Sequence, residues 1–202
     1  MTTQHKALRL AAFAAALFAV AGPACADPVH YKVDPTHTFV SFAAPHIQAI
    51  SYWRGKFDRT QSGSIVLDRA AKTGTVDITI DTTSIDFGFE KLNEHTKTKD
   101  FFDVAEYPTA TYKGTIQFTG DAPSAVNGQL TIRGVTKPVT LAINSFKCIQ
   151  DPFIKIERCG ADVSAKINRD DFGVSYGVPM TGSGVDLQIQ VEGLIDPPPA
   201  AK

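Results

Sequence analysis

The sequence predicts an all-β fold, a lipocalin-like antiparallel barrel of eight strands with a short α-helix over one opening. Three observations support this prediction. Several segments alternate apolar and polar residues with a period of two, short turns rich in Gly, Asn and Pro separate these segments, and one segment alone has helical periodicity. Such alternation is typical of antiparallel strands with one buried face, and closure into a barrel removes exposed edges.

The clearest predicted strand covers residues 185–193, and residues 75–81 alternate in the same way. Residues 129–143 are interpreted as two strands joined through residues 133–137, because a short polar connection that contains glycine is typical of a hairpin. Further strands are predicted at residues 37–42, 53–58, 64–67, 109–118 and 154–167.

Residues 89–99 interrupt the β pattern. Phe89, Leu92 and Thr96 fall on one stripe of a helix with 3.6 residues per turn, and His95 falls on the edge of that stripe. We therefore expect a short helix that lies over the barrel between two strands. An eight-stranded barrel covered in this way has room for one small ligand.

The first 26 residues have the order of a secretory signal peptide. Lys6 and Arg9 precede an apolar run at residues 10–20, and small residues end at Ala26. An uncleaved anchor is the alternative, although the apolar run is short for a membrane span. We predict cleavage after Ala26, a periplasmic location, one barrel domain at residues 27–195 and a disordered Pro-rich tail at residues 196–202.

Two cysteines remain after the predicted cleavage, Cys148 and Cys159, and they flank ten residues that contain a proline. An even number of cysteines in an exported protein favours a disulfide. A metal pair or a redox pair is the alternative, but the segment has neither a histidine nor CxxC spacing. A disulfide that staples this loop is the preferred interpretation.

Composition argues against nucleic-acid binding, and the common motifs of enzymes and zinc sites are absent, which leaves open zinc ligands or catalytic groups contributed by separate strands. The formal net charge is −1 and the isoelectric point is about 6.5, without the basic surface of a nucleic-acid-binding protein. No zinc-site spacing, P-loop, dinucleotide fingerprint or nucleophile elbow is present. Asp170 and Asp171 could form a carboxylate pair, but a polar turn is the preferred interpretation. We expect no enzymatic activity, cofactor or metal.

Aromatic residues crowd near the predicted turns and helix, where a barrel would open. Core packing explains any one of them, but large rings at a rim also suit a long apolar guest. The rings at these positions belong to Phe39, Tyr52, Trp53, Phe57, Phe87, Phe89, Phe101 and Phe102. All of these except Phe87 are predicted ligand contacts, and the others are Phe42, His46, Leu92 on the helical stripe, His95, Tyr107, and Phe172 in a third aromatic cluster.

His95 has three interpretations. It can be an ordinary surface residue of the helix, or it can hydrogen-bond a ligand head group together with Lys91 and Lys97. As a general base it would need an orienting carboxylate, and the sequence indicates none at a suitable distance. The rim of an apolar site is preferred over a catalytic centre.

Four segments resemble the bacterial YceI family, in the family's order and over about residues 31–193. They are YKVDPTHTFVSF, KLNEHTKTKDFFDVAEYPTATYKG, LTIRGVTKPVTL and VDLQIQVEG. The resemblance implies a periplasmic, lipocalin-like barrel that holds a polyprenyl phosphate, a quinone or a related amphiphile, without established catalysis. Some relatives are connected to cytochrome b561-type membrane proteins. The family's motif residues correspond here to His95, Phe101, Phe102 and Tyr107, and more loosely to Phe39, Phe42 and Trp53.

The chain departs from the family's pattern at the helix. Many relatives have an Arg-Asp pair before the motif histidine and a leucine after it, whereas Leu92, Asn93 and Thr96 stand here. A diphosphate held by arginine at this place is therefore less expected than a neutral head such as a quinone or a fatty-acid amide.

The preferred function is a carrier that holds a long isoprenoid or acyl lipid. One alternative is an enzyme acting on such a lipid with His95 or His46 as base. The other is an interaction module, without a ligand, that docks on a membrane protein. A homodimer is compatible with all three.

Overall fold

The computed structural model describes residues 27–196, so the predicted signal peptide and nearly all of the predicted tail lie outside the described residues. Within this part of the chain, no helix is long and apolar enough to cross a membrane. The elements are β1 (Val29–Val33), β2 (Phe39–His46), β3 (Ser51–Phe57), β4 (Thr60–Asp68), β5 (Thr73–Asp81), β6 (Ile85–Asp86), α1 (Glu90–Lys97), β7 (Thr109–Thr119), β8 (Ala122–Ile132), β9 (Val135–Gln150), β10 (Glu157–Asn168) and β11 (Gly184–Ile195).

The strands form one closed antiparallel barrel, which confirms the predicted fold class. The ring runs β1-β4-β5-β7-β8-β9-β10-β11 and returns to β1. β11 closes it by pairing with β1 near its end, where Gly193 lies opposite Val33, and with β2 earlier, where Leu187 lies opposite Phe42. β2, β3 and β6 extend the wall beyond the ring.

The two ends of the barrel differ. The end that carries α1, the β2–β3 hairpin and the 3₁₀ helix Arg169–Phe172 is called the mouth. The opposite end, called the base, carries the β4–β5, β7–β8 and β9–β10 connections. The β8–β9 hairpin is at the mouth, because Arg133 in its turn donates hydrogen bonds to the carbonyls of Phe101 (2.7 Å) and Gly173 (2.9 Å).

Several predicted boundaries change. The connection predicted at residues 133–137 shrinks to Arg133 and Gly134, which have positive φ angles of 49° and 73° as two-residue hairpins require. The strand predicted from residue 154 begins only at Glu157. The Asp151 carboxylate accepts hydrogen bonds from the N–H groups of Phe153 and Ile154 and folds this stretch into a tight loop. β1 is not among the predicted strands, although its apolar residues alternate with His30 and Lys32, and the two residues of β6 are too few to show alternation.

The predicted helix is present and ends two residues earlier than expected. Its buried Asn93 ties it to the barrel, because the amide donates to Asp86 and accepts from the Phe87 N–H, both at 2.8 Å. Two hydrogen bonds lower the pKa of Asp86. The bond from the Gly88 N–H has the larger effect, and the bond from the Asn93 amide has the smaller one. Thr98 is extended and ends the helix.

At the base, Arg158 joins three segments. Its guanidinium lies 2.8 Å from Asp34, 2.7 Å from Asp151 and 2.8 Å from Glu192. Burial alone would raise the pKa of Asp34, but hydrogen bonds from Thr36, Arg158 and His37 outweigh it and lower the pKa well below its usual range. The pKa of Asp151 is lowered first by the Ile154 N–H and then by Arg158.

Cys148 and Cys159 form the predicted disulfide between directly opposed residues of β9 and β10. The bond closes the loop that the Asp151 carboxylate and Arg158 also hold. The base loop is thus fixed covalently and by charge-assisted hydrogen bonds.

We expect Arg158→Met to lower the midpoint of thermal unfolding at neutral pH by roughly 5 to 10 °C, because it leaves poorly exposed carboxylates without their cation. The low pKa values of Asp34 and Asp151 stabilise the fold above about pH 4, and this contribution is lost as the pH falls. The difference in the midpoint of thermal unfolding between the variant and the wild type should therefore become smaller below pH 4. Thermal melts across this pH range measure it.

Lys166→Met is the matched control, because Lys166 pairs with Asp186 on the exposed surface. An equal loss of stability in the two variants, or a gap that widens in acid, would contradict the role given to Arg158.

We expect replacement of both Cys148 and Cys159 by alanine to lower the free energy of unfolding by about 3 kcal/mol, since the bond closes a loop with a sequence separation of 11. Urea unfolding measures the change. Reduction of the wild-type protein is the control, because it opens the loop while keeping both sulfurs. A loss below about 1 kcal/mol in both experiments would show that the Arg158 network holds the loop without the disulfide.

Candidate ligand-binding site

The lumen of the barrel contains a cavity of about 430 Å³. Its lining extends from Tyr31 and Cys159 at the base to Trp53 and His95 at the mouth. Nearly all the side chains between these ends are aliphatic or aromatic. The cavity therefore runs along the barrel as one apolar space.

Strand alternation produces this lining. On β11, Val185, Leu187, Ile189 and Val191 face the lumen, while the polar residues between them face outward. Leu187, Ile189 and Val191 are nevertheless only half-buried. Inward-facing residues keep some accessibility because side chains do not fill the lumen, unlike those of a packed core.

Two buried tyrosines line the cavity without making it polar, since their hydroxyls bond within the barrel wall. The Tyr112 hydroxyl lies 2.9 Å from the carbonyls of both Val126 and Val139, and burial raises its pKa to about 12. The Tyr31 hydroxyl donates to Glu157 and accepts from Arg69 (2.9 Å). Burial has the largest effect on the pKa of Tyr31 and the hydrogen bond to Glu157 the next largest, and together they raise it to about 12.

Aromatic rings surround one side of the mouth. The Trp53 ring lies 5.8 Å from His46 and 6.4 Å from Phe87, and it stacks on Phe89 at 6.4 Å. Gly55 permits this packing, because a Cβ there would lie within 3.0 Å of the Phe87 ring. Below them, Phe57 and Phe102 pack edge to face at 5.5 Å.

His95 occupies the other side of the mouth, 5.1 Å from Phe101 and 5.0 Å from Tyr176. Its Nε2 lies 3.0 Å from the Asp100 carboxylate, so an orienting carboxylate does exist, and the expectation that none was near is wrong. The chain turns back after Thr98, which brings Asp100 to the imidazole. The pair is partly exposed, and the imidazole can also offer a hydrogen bond to a polar head at the mouth.

Arg169 is a cavity-lining residue that sequence reasoning missed. Its guanidinium donates to the carbonyls of Gly182 (3.1 Å), Val174 (2.7 Å) and Tyr176 (3.0 Å), and to the Thr181 hydroxyl (2.6 Å). These acceptors are neutral, and no carboxylate of the described chain forms an ion pair with Arg169. Burial lowers its pKa.

Arg169 therefore shapes the mouth by folding residues 173–183 over it. This fold brings Tyr176 against His95 and Phe101. The aromatic cluster around Phe172 could have drawn attention to Tyr176. Arg169 itself precedes Asp170 and Asp171, and this short polar sequence does not indicate a cavity-lining residue.

Eight of the thirteen predicted contact residues line the cavity. They are Phe42, His46, Trp53, Phe57, Leu92, His95, Phe101 and Phe102. The structure brings them together from β2, β3, α1 and the segment after α1. Phe87 and Tyr176 join them in the lining.

The other five, Phe39, Tyr52, Phe89, Tyr107 and Phe172, lie outside the cavity. Phe39 and Tyr52 alternate with inward neighbours, and Lys56 lies 4.9 Å from the Phe39 ring centre on the outer face. Phe89 covers Trp53 from outside, and Tyr107 packs on Gly134. Phe172 is buried behind the wall, with 1% exposure.

Among residues 27–196, two groups of side chains could in principle ligate a metal. One comprises Asp34, His37 and Glu192, where Arg158 already bonds both carboxylates. The other comprises Glu157 and the two cysteines of the disulfide, whose sulfurs are bonded to each other. Both groups lie at the base, apart from the mouth.

Solved structures share this architecture. Burkholderia cenocepacia BcnA aligns with a TM-score of 0.65 and 26% identity over 79% of this chain and 98% of BcnA. A YceI protein from Campylobacter jejuni aligns with a TM-score of 0.63 and 27% identity over 73% and 88% of the two chains. A domain from Saccharophagus degradans, described as polyisoprenoid-binding and implicated in plant cell wall breakdown, shares the fold at 17% identity and a TM-score of 0.58, over 83% of this chain and 99% of that domain.

Sequence relatives cover nearly the whole chain. Protein YceI of Escherichia coli O157:H7 is 33% identical over 90% of this chain and 94% of its own length. A UPF0312 protein of Pseudomonas aeruginosa strain LESB58 is 31% identical over 94% and 97% of the two chains. The model of the YceI-like domain matches residues 31–193. With the barrel, its apolar lumen and this match over most of its length, the chain belongs to the YceI family.

Proposed function

We propose that this protein is a periplasmic carrier that holds a long-chain amphiphile, such as a polyisoprenoid, a quinone or a fatty-acid-like lipid, inside its barrel. One observation carries the proposal. The apolar cavity is continuous from mouth to base, and the imidazole and guanidinium groups that line it, those of His46, His95 and Arg169, are at the mouth. This arrangement suits a ligand with one polar end and a long apolar tail.

The physical basis of binding is solvation of the tail. The cavity has a volume of about 430 Å³, which is within the usual range of small-molecule sites. Each buried methylene contributes about 0.8 kcal/mol, so a tail of ten methylenes contributes roughly 8 kcal/mol before the cost of association. Such a tail binds without a charged partner.

The mouth offers polar contacts for the head group. His95 and Arg169 line the cavity there, and the Thr181 hydroxyl lies beside the guanidinium. Lys97 is engaged by Glu94 at 2.8 Å, which makes it less available than the sequence suggested. Because no carboxylate of the described residues forms an ion pair with Arg169, an acidic head is also compatible with the site.

Three further observations support the biological setting. The disulfide is typical of an oxidising compartment, and residues 1–26 have the order of a signal peptide. The fold is shared with the Saccharophagus degradans domain described as polyisoprenoid-binding. Together they favour a lipid carrier outside the cytoplasm.

Native mass spectrometry of the protein, purified from a bacterial periplasm without detergent, tests the proposal. We expect a stoichiometric lipid adduct whose mass identifies the ligand after extraction. A mass corresponding to the polypeptide alone, together with failure to take up added quinone or polyprenyl lipid, would overturn the proposal and favour a module that docks on a membrane protein.

We expect Ala161→Phe to weaken retention of the longest lipids at least tenfold while leaving the fold intact. Ala161 lines the cavity, so the added ring occupies space that the ligand tail needs, and a few displaced methylenes account for this change. Adduct abundance across a series of chain lengths measures it.

Ala142→Phe is the matched control, because Ala142 is exposed on β9 and does not line the cavity. Equal retention in the two variants would show that the ligand does not occupy the lumen.

The His95–Asp100 pair supports one alternative, an enzyme that acts on the bound lipid with His95 as base. Under the carrier proposal, His95→Ala and Asp100→Asn change head-group affinity by a few-fold at most and produce no difference in lipid turnover. Incubation with the identified lipid, followed by product analysis, measures this. Turnover by the wild type that either variant reduces by a hundredfold or more would establish the enzyme instead.

A further inference from the structure

Large apolar side chains are exposed at both ends of the barrel. At the mouth, six of them form a group that we call the apolar collar, composed of Ile47, Ile50, Trp53, Phe89, Tyr176 and Met180. Ile50 is 78% exposed and Met180 is 60% exposed. A second group lies in the base loop, where Phe153 is 90% exposed.

Contacts between three elements bring the collar together around the cavity opening. The Gln48 N–H of the β2–β3 hairpin donates to the Met180 carbonyl at 2.7 Å. Trp53 stacks on Phe89 next to α1, and Tyr176 lies 5.0 Å from the His95 ring. Trp53 and Tyr176 belong both to the collar and to the cavity lining, so the apolar surface continues from outside into the lumen.

The hairpin tip is held in a conformation that exposes its isoleucines. Gln48 and Ala49 have φ angles of 50° and 59°, in the left-handed region that non-glycine residues seldom occupy. The bond to Met180 and a second from the Ile50 N–H to the Ile47 carbonyl (3.2 Å) fix the turn. Such strain persists where the surrounding structure enforces it, and it is frequent at functional sites.

We propose that the apolar collar docks on the surface of a lipid bilayer, so that a lipid tail passes between bilayer and cavity without crossing water. This inference rests on the proposed lipid ligand. Exposure of a tail to water costs about 0.8 kcal/mol per methylene, which makes direct transfer strongly favoured. Tryptophan, tyrosine and aliphatic side chains are those that enter membrane interfaces. A lipid that the cavity takes up has a bilayer as its source.

The chain offers a built-in probe, because Trp53 is its sole tryptophan and belongs to the collar. The purified protein is mixed with phosphatidylcholine vesicles, with and without phosphatidylglycerol, and vesicle-bound protein is separated by sedimentation. We expect bound protein whose tryptophan emission shifts to the blue and is quenched by brominated phospholipids.

Ile50→Ser and Met180→Ser remove collar side chains that do not line the cavity. Each is expected to reduce vesicle partitioning about fivefold to tenfold while leaving the lipid adduct in native mass spectra unchanged. Phe153→Ser is the matched control, since it removes a still more exposed apolar side chain at the base, and it should leave partitioning unchanged.

Three results would overturn the docking proposal. They are wild-type protein that binds neither kind of vesicle, partitioning that falls for Phe153→Ser but not for Ile50→Ser, and a dimer that Ile50→Ser dissociates without any change in partitioning. The last would identify the collar as a contact between two copies of the chain. Retained adducts without vesicle binding would overturn docking alone. Vesicle binding by protein that takes up no lipid would overturn the carrier proposal, and with it the transfer of a lipid tail, and would leave the collar as a membrane-binding surface.

Discussion

Closure of the barrel by β11 is the constraint on which the rest of the structure depends. This strand pairs with β10 along one edge and divides its other edge between β1 and β2. The seam between β11 and β1 is reinforced where the Asp34 N–H donates to the Glu192 carbonyl at 2.8 Å and where Arg158 bridges their carboxylates. Without this closure, the inward apolar residues would face water rather than an enclosed lumen.

Different interactions stabilise the two ends of the closed barrel. The base carries the covalent and ionic constraints, namely the disulfide and the Arg158 network. The mouth is built from longer connections held by hydrogen bonds to Arg169 and Arg133. The barrel is therefore fixed by a covalent bond and ion pairs at the base and by hydrogen bonds to neutral acceptors at the mouth.

Electrostatics at the mouth follow from the same division. Arg169 donates its hydrogen bonds to neutral backbone and hydroxyl oxygens, and burial lowers its pKa, although the nearby charge of Asp170 acts in the opposite direction. His95 has a carboxylate partner, Asp100, on the solvent side of its ring. Polar chemistry is thus present where a head group would lie, while the tyrosine hydroxyls deeper in the barrel are bonded within the wall.

Much of the fold could be predicted because strand alternation is a local property. A period of two assigns Val185, Leu187 and Ile189 to one face whatever their tertiary partners are. The same rule applied to β2 and β3 would have placed Phe39 and Tyr52 on the outer face, opposite to Phe42 and Trp53. Phe39 and Tyr52 do not line the cavity because successive side chains of a strand point to opposite faces, whatever their aromatic character.

The sequence by itself determined the fold class, the helix, the disulfide pair and most of the aromatic lining, since each depends on periodicity or on residue type. Only the tertiary structure decided that Asp100 reaches His95, that Arg169 lines the cavity, and that Phe172 lies behind the wall. These relations depend on how turns redirect the chain after α1 and after β10. Residues distant in the sequence meet through backbone geometry and barrel closure, and no local pattern of residues records such a meeting.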